Sequence, residues 1–377
     1  MATQERLIEP ANPLLRLAAL GQSIWLDDIR RDLFSDGLLR RRIEKDGLKG
    51  MTSNPAIFEK AIDGGRLYDD AIRALARDGS GPQAIYEALS RQDVQSAADA
   101  FDLLYAESRA RDGYVSLEVN PHLARDTQGT VDEARRLWIG LGRPNVMIKV
   151  PATDQGIPAI RQLIQEGISV NVTLIFGMNR YVQVAEAYLS GLELRAAQGL
   201  SLARVASVAS FFISRVDAMV DPLLGTAEAS LSGEASAARG QVAIAGAKAA
   251  YRHYQQLFGS YRFRTLASAG ALPQRLLWAS TSSKDPKDSD IKYVEALIGR
   301  DTVNTVPPAT LDAYLDHGRP EATLEAGLPE AEALLAALPA WGVDMAKVER
   351  RLEDEGVEKF VQPFDKLMAA LAARSGR

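Results

Sequence analysis

The sequence predicts a (β/α)8 barrel of parallel strands, extended by helices at its C-terminal end. Three observations predict it. Eight short β-rich runs alternate with longer helical patterns, and repeated βα units imply a parallel sheet. Eight such units suggest a sheet that closes on itself. A doubly wound open sheet would alternate too, but no Gly-x-Gly-x-x-Gly follows the first run. With 377 residues the chain is long enough for one barrel with additions, or for two domains.

In chain order the expected strands are Ser23–Leu26, Gly50–Ser53, Tyr114–Glu118, Val146–Val150, Ser169–Leu174, Val205–Ile213, Leu276–Ala279 and Thr302–Thr305. Helical patterns between them include Thr130–Leu141, Gly156–Glu166, Met178–Arg195 and Gly240–Phe258. The stretch Thr226–Gly246 is rich in Ala, Gly and Ser; it reads as a helical connection with a mobile start, because alanine is the best helix former and no proline interrupts it. Lys284 to Asp290 has the turn chemistry of a loop. Beyond Pro320 no strand pattern remains. Val348–Gly356 and Glu358–Ala373 read as two amphipathic helices packed on the barrel. The expected organisation is a single unit over 1–377, with the barrel at about 20–310 and a helical extension at 311–377. No internal repeat is present.

Composition narrows the function. A net charge of −5 argues against a nucleic-acid surface, whose footprint is basic. The densest basic run, Arg40 to Arg42, is followed by Glu44 and Asp46 and reads as a solvated helix face. The absence of cysteine excludes disulfides, thiolate metal sites and cysteine nucleophiles. His122, His253 and His317 are not at metal-ligand spacing, so no metal site is expected. Pro13 to Leu20 is apolar but short and interrupted by Arg16, unlike a signal peptide, and no stretch approaches a membrane span. A cytoplasmic protein without a membrane partner is the expectation.

In such a barrel the chemistry sits at the C-terminal ends of the strands. Those ends are unusually polar here. The first strand runs into Asp27 and Asp28, the second into Thr52, Ser53 and Asn54, and the third into Glu118 and Asn120. Asn171 and Thr173 alternate with Val170, Val172 and Leu174, so a period of two points both into the barrel if the other face meets helices. Ser210 and then Arg215 follow on the sixth strand, and Ser280 to Ser282 on the seventh. Each has a plainer reading: a helix cap for Asp27, a turn for Asn54-Pro55, a surface ion pair for Glu118, ordinary strand propensity for Thr173. Taken together, inward polar groups need partners, and an active site supplies them jointly.

Lys149 is the centre of this pattern. It interrupts an apolar run from Val146 to Val150, and a lysine is rarely buried without a partner. Desolvation favours the neutral form of an amine, and a neutral amine can attack a ketone to form a Schiff base. The plainer alternative is a lysine at a strand end whose head reaches solvent.

Several segments resemble the transaldolase family in its longer form, over roughly residues 20–310, and the C-terminal helices fit that form. They are Ile24-Trp-Leu-Asp27, Thr52-Ser-Asn-Pro55, Val115-Ser-Leu-Glu-Val119, Val146-Met-Ile-Lys-Val-Pro-Ala-Thr-Asp-Gln-Gly156, Gly167-Ile-Ser-Val-Asn-Val-Thr-Leu-Ile175 and Ser210-Phe-Phe-Ile-Ser-Arg215. The lysine segment followed by Asn-x-Thr-Leu at the right spacing is the most specific part. The resemblance implies a (β/α)8 barrel that transfers a dihydroxyacetone unit between sugar phosphates. The donors would be sedoheptulose 7-phosphate or fructose 6-phosphate, and the acceptors glyceraldehyde 3-phosphate or erythrose 4-phosphate, in the non-oxidative pentose phosphate pathway. By the same resemblance Lys149 forms the Schiff base and Asp27 handles the proton of the donor's C4 hydroxyl. Glu118 acts through a bound water that Thr173 helps to hold. Asn54 and Asn171 bind the dihydroxyacetone hydroxyls, and Ser210 and Arg215 the distal phosphate.

The chemistry is coherent in its own right. Cleaving a carbon–carbon bond beside a carbonyl needs an electron sink, which an iminium provides, and groups that move protons. A lysine and two carboxylates meet that need with no cofactor. Two positions depart from the short members of the family. Lys284 stands in for an arginine after the seventh strand, and Asn120 replaces an aspartate. Phe212 stands where aldolase-like relatives carry a water-orienting tyrosine. A class I aldolase releasing free dihydroxyacetone is the main alternative. An inactive sugar-phosphate-binding barrel is a second, and the complete set of Lys149, Asp27 and Glu118 argues against it.

Overall fold

The computed structural model describes residues 12–227 and 233–375. Eight strands close into a parallel barrel: β1 Gln22–Asp27, β2 Gly50–Thr52, β3 Tyr114–Glu118, β4 Val146–Pro151, β5 Val170–Ile175, β6 Ser207–Phe212, β7 Arg275–Ala279 and β8 Thr302–Val306. Each strand pairs with the next, and β8 pairs with β1 through Trp25 opposite Thr305 and Leu26 opposite Val306. The expected (β/α)8 barrel is therefore the observed one, with all eight strands in place.

The strands are buried throughout, apart from the half-buried Asp27. A strand covered on both faces reads as a near-continuous apolar run, which is why Val146 to Val150 and Val170 to Ile175 look as they do. Polar side chains that face inward find one another across the barrel. Asn171 of β5 donates to Ser116 Oγ of β3 at 3.0 Å, although β4 lies between those strands. Such a bond is reachable only through the interior, so Asn171 does point inward.

Two expectations for the helices need correction. The alanine-rich connection is not one helix. The chain is helical over Ser214–Ala227, again over Glu234–Ala237, and then from Val242 to Phe258. Residues 228–232, where a mobile start was expected, lie outside the described residues. Gly240 breaks the run: its φ is +66°, and its N–H donates to Asp221 Oδ1 at 2.8 Å. Asp217 then accepts from the N–H of Ala243 at 2.8 Å near the start of the next helix. Conversely, the two C-terminal helices are one, Met345–Arg374, running through both Gly356 and Pro363. Its buried stripe of Leu352, Gly356, Phe360, Phe364, Leu367 and Leu371 outweighs the roughly 1 kcal/mol that a helical glycine costs. This helix packs against the helix Pro55–Asp63 and against β5, across the C-terminal mouth of the barrel. Among the described residues no helix is long and apolar enough to cross a membrane.

Candidate active site

A cavity of about 260 Å³ opens at the C-terminal ends of the strands. Its walls include Asp27, Asn54, Lys149, Thr173, Ser210, Phe212, Arg215 and Lys284, eight of the ten residues expected from the sequence. The other two, Glu118 and Asn171, stand behind this wall in contact with its members.

Lys149 is held by β4 and is 5% exposed. Its ammonium donates to the carbonyl of Ser53 at 3.1 Å and stands 3.7 Å from Glu118 Oε2. Glu118 is its partner in register on β3. Burial pushes the Glu118 carboxyl up to about 7, against the pull of the Lys149 charge. Neither Glu118 oxygen has a protein hydrogen-bond partner, and the same is true of the buried Thr173 hydroxyl. Buried polar groups left unpaired are costly, of order 1–3 kcal/mol each, and folds retain them where a ligand or substrate is to be met.

Thr173 occupies an irregular stretch of strand. The pairing of β5 with β6 shifts register between Val172 and Ile175, and Leu174 there has a φ of +62°. A leucine seldom adopts that left-handed conformation, and strain of this kind collects at functional sites.

Asp27 ends β1, and its Oδ1 accepts from the Thr52 hydroxyl at 2.7 Å; Thr52 in turn lies 2.6 Å from the hydroxyl of Thr305. Asp27 is thus fixed by the ends of β2 and β8 and does not cap a helix. Asn54 does cap one: its Oδ1 accepts from the N–H of Ile57 at 3.0 Å, with Pro55 in the first helical position. The plain turn-and-cap reading holds for that oxygen, while the rest of the side chain lines the cavity. Asn171 is fully buried, bonded to Ser116 on one side and accepting from the Ser210 hydroxyl at 2.7 Å on the other. Its amide thereby holds the Ser210 hydroxyl in place.

The cavity wall also carries two cations, Arg215 and Lys284. Arg215 lies over the ring of Phe212 at 5.2 Å and has a buried Nη1 without a hydrogen-bond partner. Lys284 donates to the Ser282 hydroxyl at 2.9 Å. Neither forms an ion pair among the described residues. Burial holds both below their ordinary pKa values, and for Lys284 the nearby Arg215 charge adds to it. Two partly desolvated cations without an ion-pair partner have the chemistry to attract an anion. The loop reading of Lys284 to Asp290 is correct, and the loop delivers Lys284 to this point.

A barrel with a buried lysine paired with a buried carboxylate, and two cations on the wall of the same cavity, agrees with the comparison to known proteins. Residues 24–371 match the family described as transaldolase/fructose-6-phosphate aldolase. The chain belongs to that family. It is similar to the transaldolase 2 of a Nostoc species, with 46% identity over 371 residues, covering 96% of this chain and 97% of the other. It is 48% identical over 358 residues to the transaldolase of Thiobacillus denitrificans, covering 94% and 98% respectively. Against the transaldolase of Thermobifida fusca it is 46% identical over 362 residues, covering 96% and 98%.

Several wall residues of this transaldolase-family site were not among the ten expected from the sequence, and Thr52, Thr305 and Phe360 stand out. Thr52 and Thr305, which brace Asp27, sit at strand ends; the same rule that picked out Asp27 applies to them. Phe360 comes from the C-terminal helix, about 210 residues beyond Lys149. In the sequence it is one apolar residue of an amphipathic helix, and only the docking of that helix brings it to the cavity.

Proposed function

We propose that this chain is a transaldolase that carries a dihydroxyacetone unit on Lys149. The observation that carries this reading is the buried Lys149 ammonium 3.7 Å from the Glu118 carboxylate, at a cavity whose wall also carries Arg215 and Lys284. The lysine amine attacks the donor ketone, and loss of water gives the iminium. Glu118, through a water held with Thr173, moves the protons of addition and dehydration. Asp27 takes the proton of the C4 hydroxyl as the C3–C4 bond breaks, which releases an aldose phosphate and leaves the three-carbon unit as an enamine. That unit then bonds to the aldehyde carbon of the acceptor, and hydrolysis of the imine frees the new ketose phosphate. Asn54 and Asn171 serve the dihydroxyacetone hydroxyls, Ser210 and Arg215 with Lys284 take the distal phosphate, and no cofactor takes part. The barrel and its C-terminal helix act as one catalytic unit. Its place is the non-oxidative branch of the pentose phosphate pathway, in the cytoplasm, with sugar phosphates as substrates and neither nucleic acid nor membrane as partner.

The test uses fructose 6-phosphate with and without erythrose 4-phosphate. Little free dihydroxyacetone should form from the donor alone, and the acceptor should bring rapid turnover to sedoheptulose 7-phosphate. Fast acceptor-independent release would instead identify an aldolase. Phe212 favours transfer: it lines the cavity, packs on Phe176 with ring centroids 5.1 Å apart, and offers no hydrogen bond that could orient water. Phe212→Tyr should therefore increase the release of free dihydroxyacetone.

A further expectation concerns the two cations. Arg215→Ala should raise KM for phosphorylated donors roughly 10- to 100-fold, the scale of one or two lost charge-assisted hydrogen bonds. Unphosphorylated dihydroxyacetone donors should be far less affected. Lys284→Ala should act in the same direction with a smaller effect, since lysine contributes a point charge and arginine a bidentate contact. Equal losses for both donor types would mark Arg215 as structural, and an unchanged KM would remove Lys284 from the site.

A further inference from the structure

The helix Met345–Arg374 lies across the mouth of the barrel. Glu353 pairs with Arg180 at 3.0 Å and Lys366 with Glu59 at 2.5 Å, and Arg374 pairs with Asp69 near the far end. Partly exposed pairs of this kind stabilise modestly, but spread along the helix they fix where it lies. Gly356 sets its depth. A Cβ at that position would stand 3.0 Å from Leu174 Cδ2 and 3.3 Å from the Phe176 ring, so the backbone descends onto the end of β5. One helical turn later, Phe360 is 5% exposed, lines the cavity, and has its ring centroid 5.6 Å from Lys149 Nζ.

We infer that Phe360 is a specificity-determining wall of the site, keeping solvent from the three-carbon enamine on Lys149 and so favouring an aldehyde acceptor over a proton. The inference rests on the Schiff-base reading of Lys149. In transfer, the enamine carbon forms a bond to the acceptor's aldehyde carbon, whose oxygen takes up a proton. In the competing path the same carbon takes a proton from solvent. Water then adds to the resulting iminium carbon, the carbon–nitrogen bond breaks, and dihydroxyacetone leaves with the Lys149 amine restored. Water must still reach the iminium at the end of a productive cycle, so the wall acts on the protonation of carbon and not on hydrolysis. A phenyl ring suits that task, because it fills space beside the intermediate and has no proton to give.

The test compares Phe360→Ala and Phe360→Leu with the unmodified enzyme. Free dihydroxyacetone is measured from fructose 6-phosphate alone, and sedoheptulose 7-phosphate after addition of erythrose 4-phosphate. Borohydride trapping on the peptide containing Lys149 is run alongside. Phe360→Ala should raise the ratio of release to transfer at least about fivefold while the trapped adduct persists, and Phe360→Leu should raise it less because it keeps apolar bulk. A merely structural phenylalanine would lower both rates together and leave the ratio alone. Trapping at Lys149 with an unchanged ratio in the variants overturns the inference; if the alanine variant does not fold, the leucine variant decides it. Failure to trap at Lys149 in the unmodified protein would overturn the Schiff-base reading, and this inference with it.

Discussion

Lys149→Ala should abolish both the borohydride-trapped adduct and transfer, with a fall in kcat of about 10⁴-fold or more, the scale of losing a covalent nucleophile. The cause is chemical and local. Among the described residues Lys149 and Lys284 are the lysines lining the cavity, and of the two only Lys149 stands beside Glu118. Lys149→Arg should fail as completely, because a guanidinium stays charged and forms no imine. Folding should survive the alanine change: it removes a buried cation whose hydrogen bond goes to the carbonyl of Ser53. Peptide mass mapping after reduction with fructose 6-phosphate reads the outcome. A mass increase on a peptide lacking Lys149, or normal turnover by the alanine variant, would refute the assignment.

Glu118→Gln should lower kcat by roughly 10²- to 10⁴-fold, the range for a general acid–base group, and should leave trapping slow but detectable. Its pH dependence makes the prediction specific. The carboxyl is pushed up to about 7 by burial, so in the free enzyme it titrates near neutrality. The carboxylate is the form that accepts the first proton of imine formation, so kcat/KM should rise as pH increases through about 7, and this limb should vanish in Glu118→Gln. Stability should move the other way. A carboxyl whose folded pKa lies above its unfolded value near 4.5 contributes stability that is in place below 4.5 and lost as pH rises through about 7. Glutamine cannot ionise, so Glu118→Gln should gain stability relative to the unmodified protein between about pH 5 and about pH 8. Urea unfolding at both ends of that interval measures it. A stability difference that does not change with pH would show that Glu118 titrates at its ordinary value.

The residues of the site differ in how far their neighbours in sequence reveal them. Lys149, Glu118, Thr173 and Asp27 can be read because each interrupts or ends a run that is otherwise apolar, and burial on both faces leaves few reasons for a polar residue to be there. Alternation makes Asn171 point inward, but cannot show that its amide is occupied by Ser116 and Ser210. Turn chemistry marks the loop of Lys284 without saying that it folds back beside Arg215. The break at Gly240 follows glycine's tolerance of positive φ and is fixed by Asp221, 19 residues away in sequence. The continuity of the helix through Gly356 goes the other way, because its buried stripe outweighs a propensity worth about 1 kcal/mol.

The sequence by itself determined the barrel, the number and order of its strands, and the lysine and carboxylates at its mouth. Those features follow from periodicity, and periodicity is a local property of the chain. Only the tertiary structure decided that Phe360 stands over Lys149, that Thr305 and Thr52 brace Asp27, and that Arg215 and Lys284 line one cavity. These depend on how closed strands and a crossing helix bring together residues far apart in sequence, and no local pattern encodes that distance.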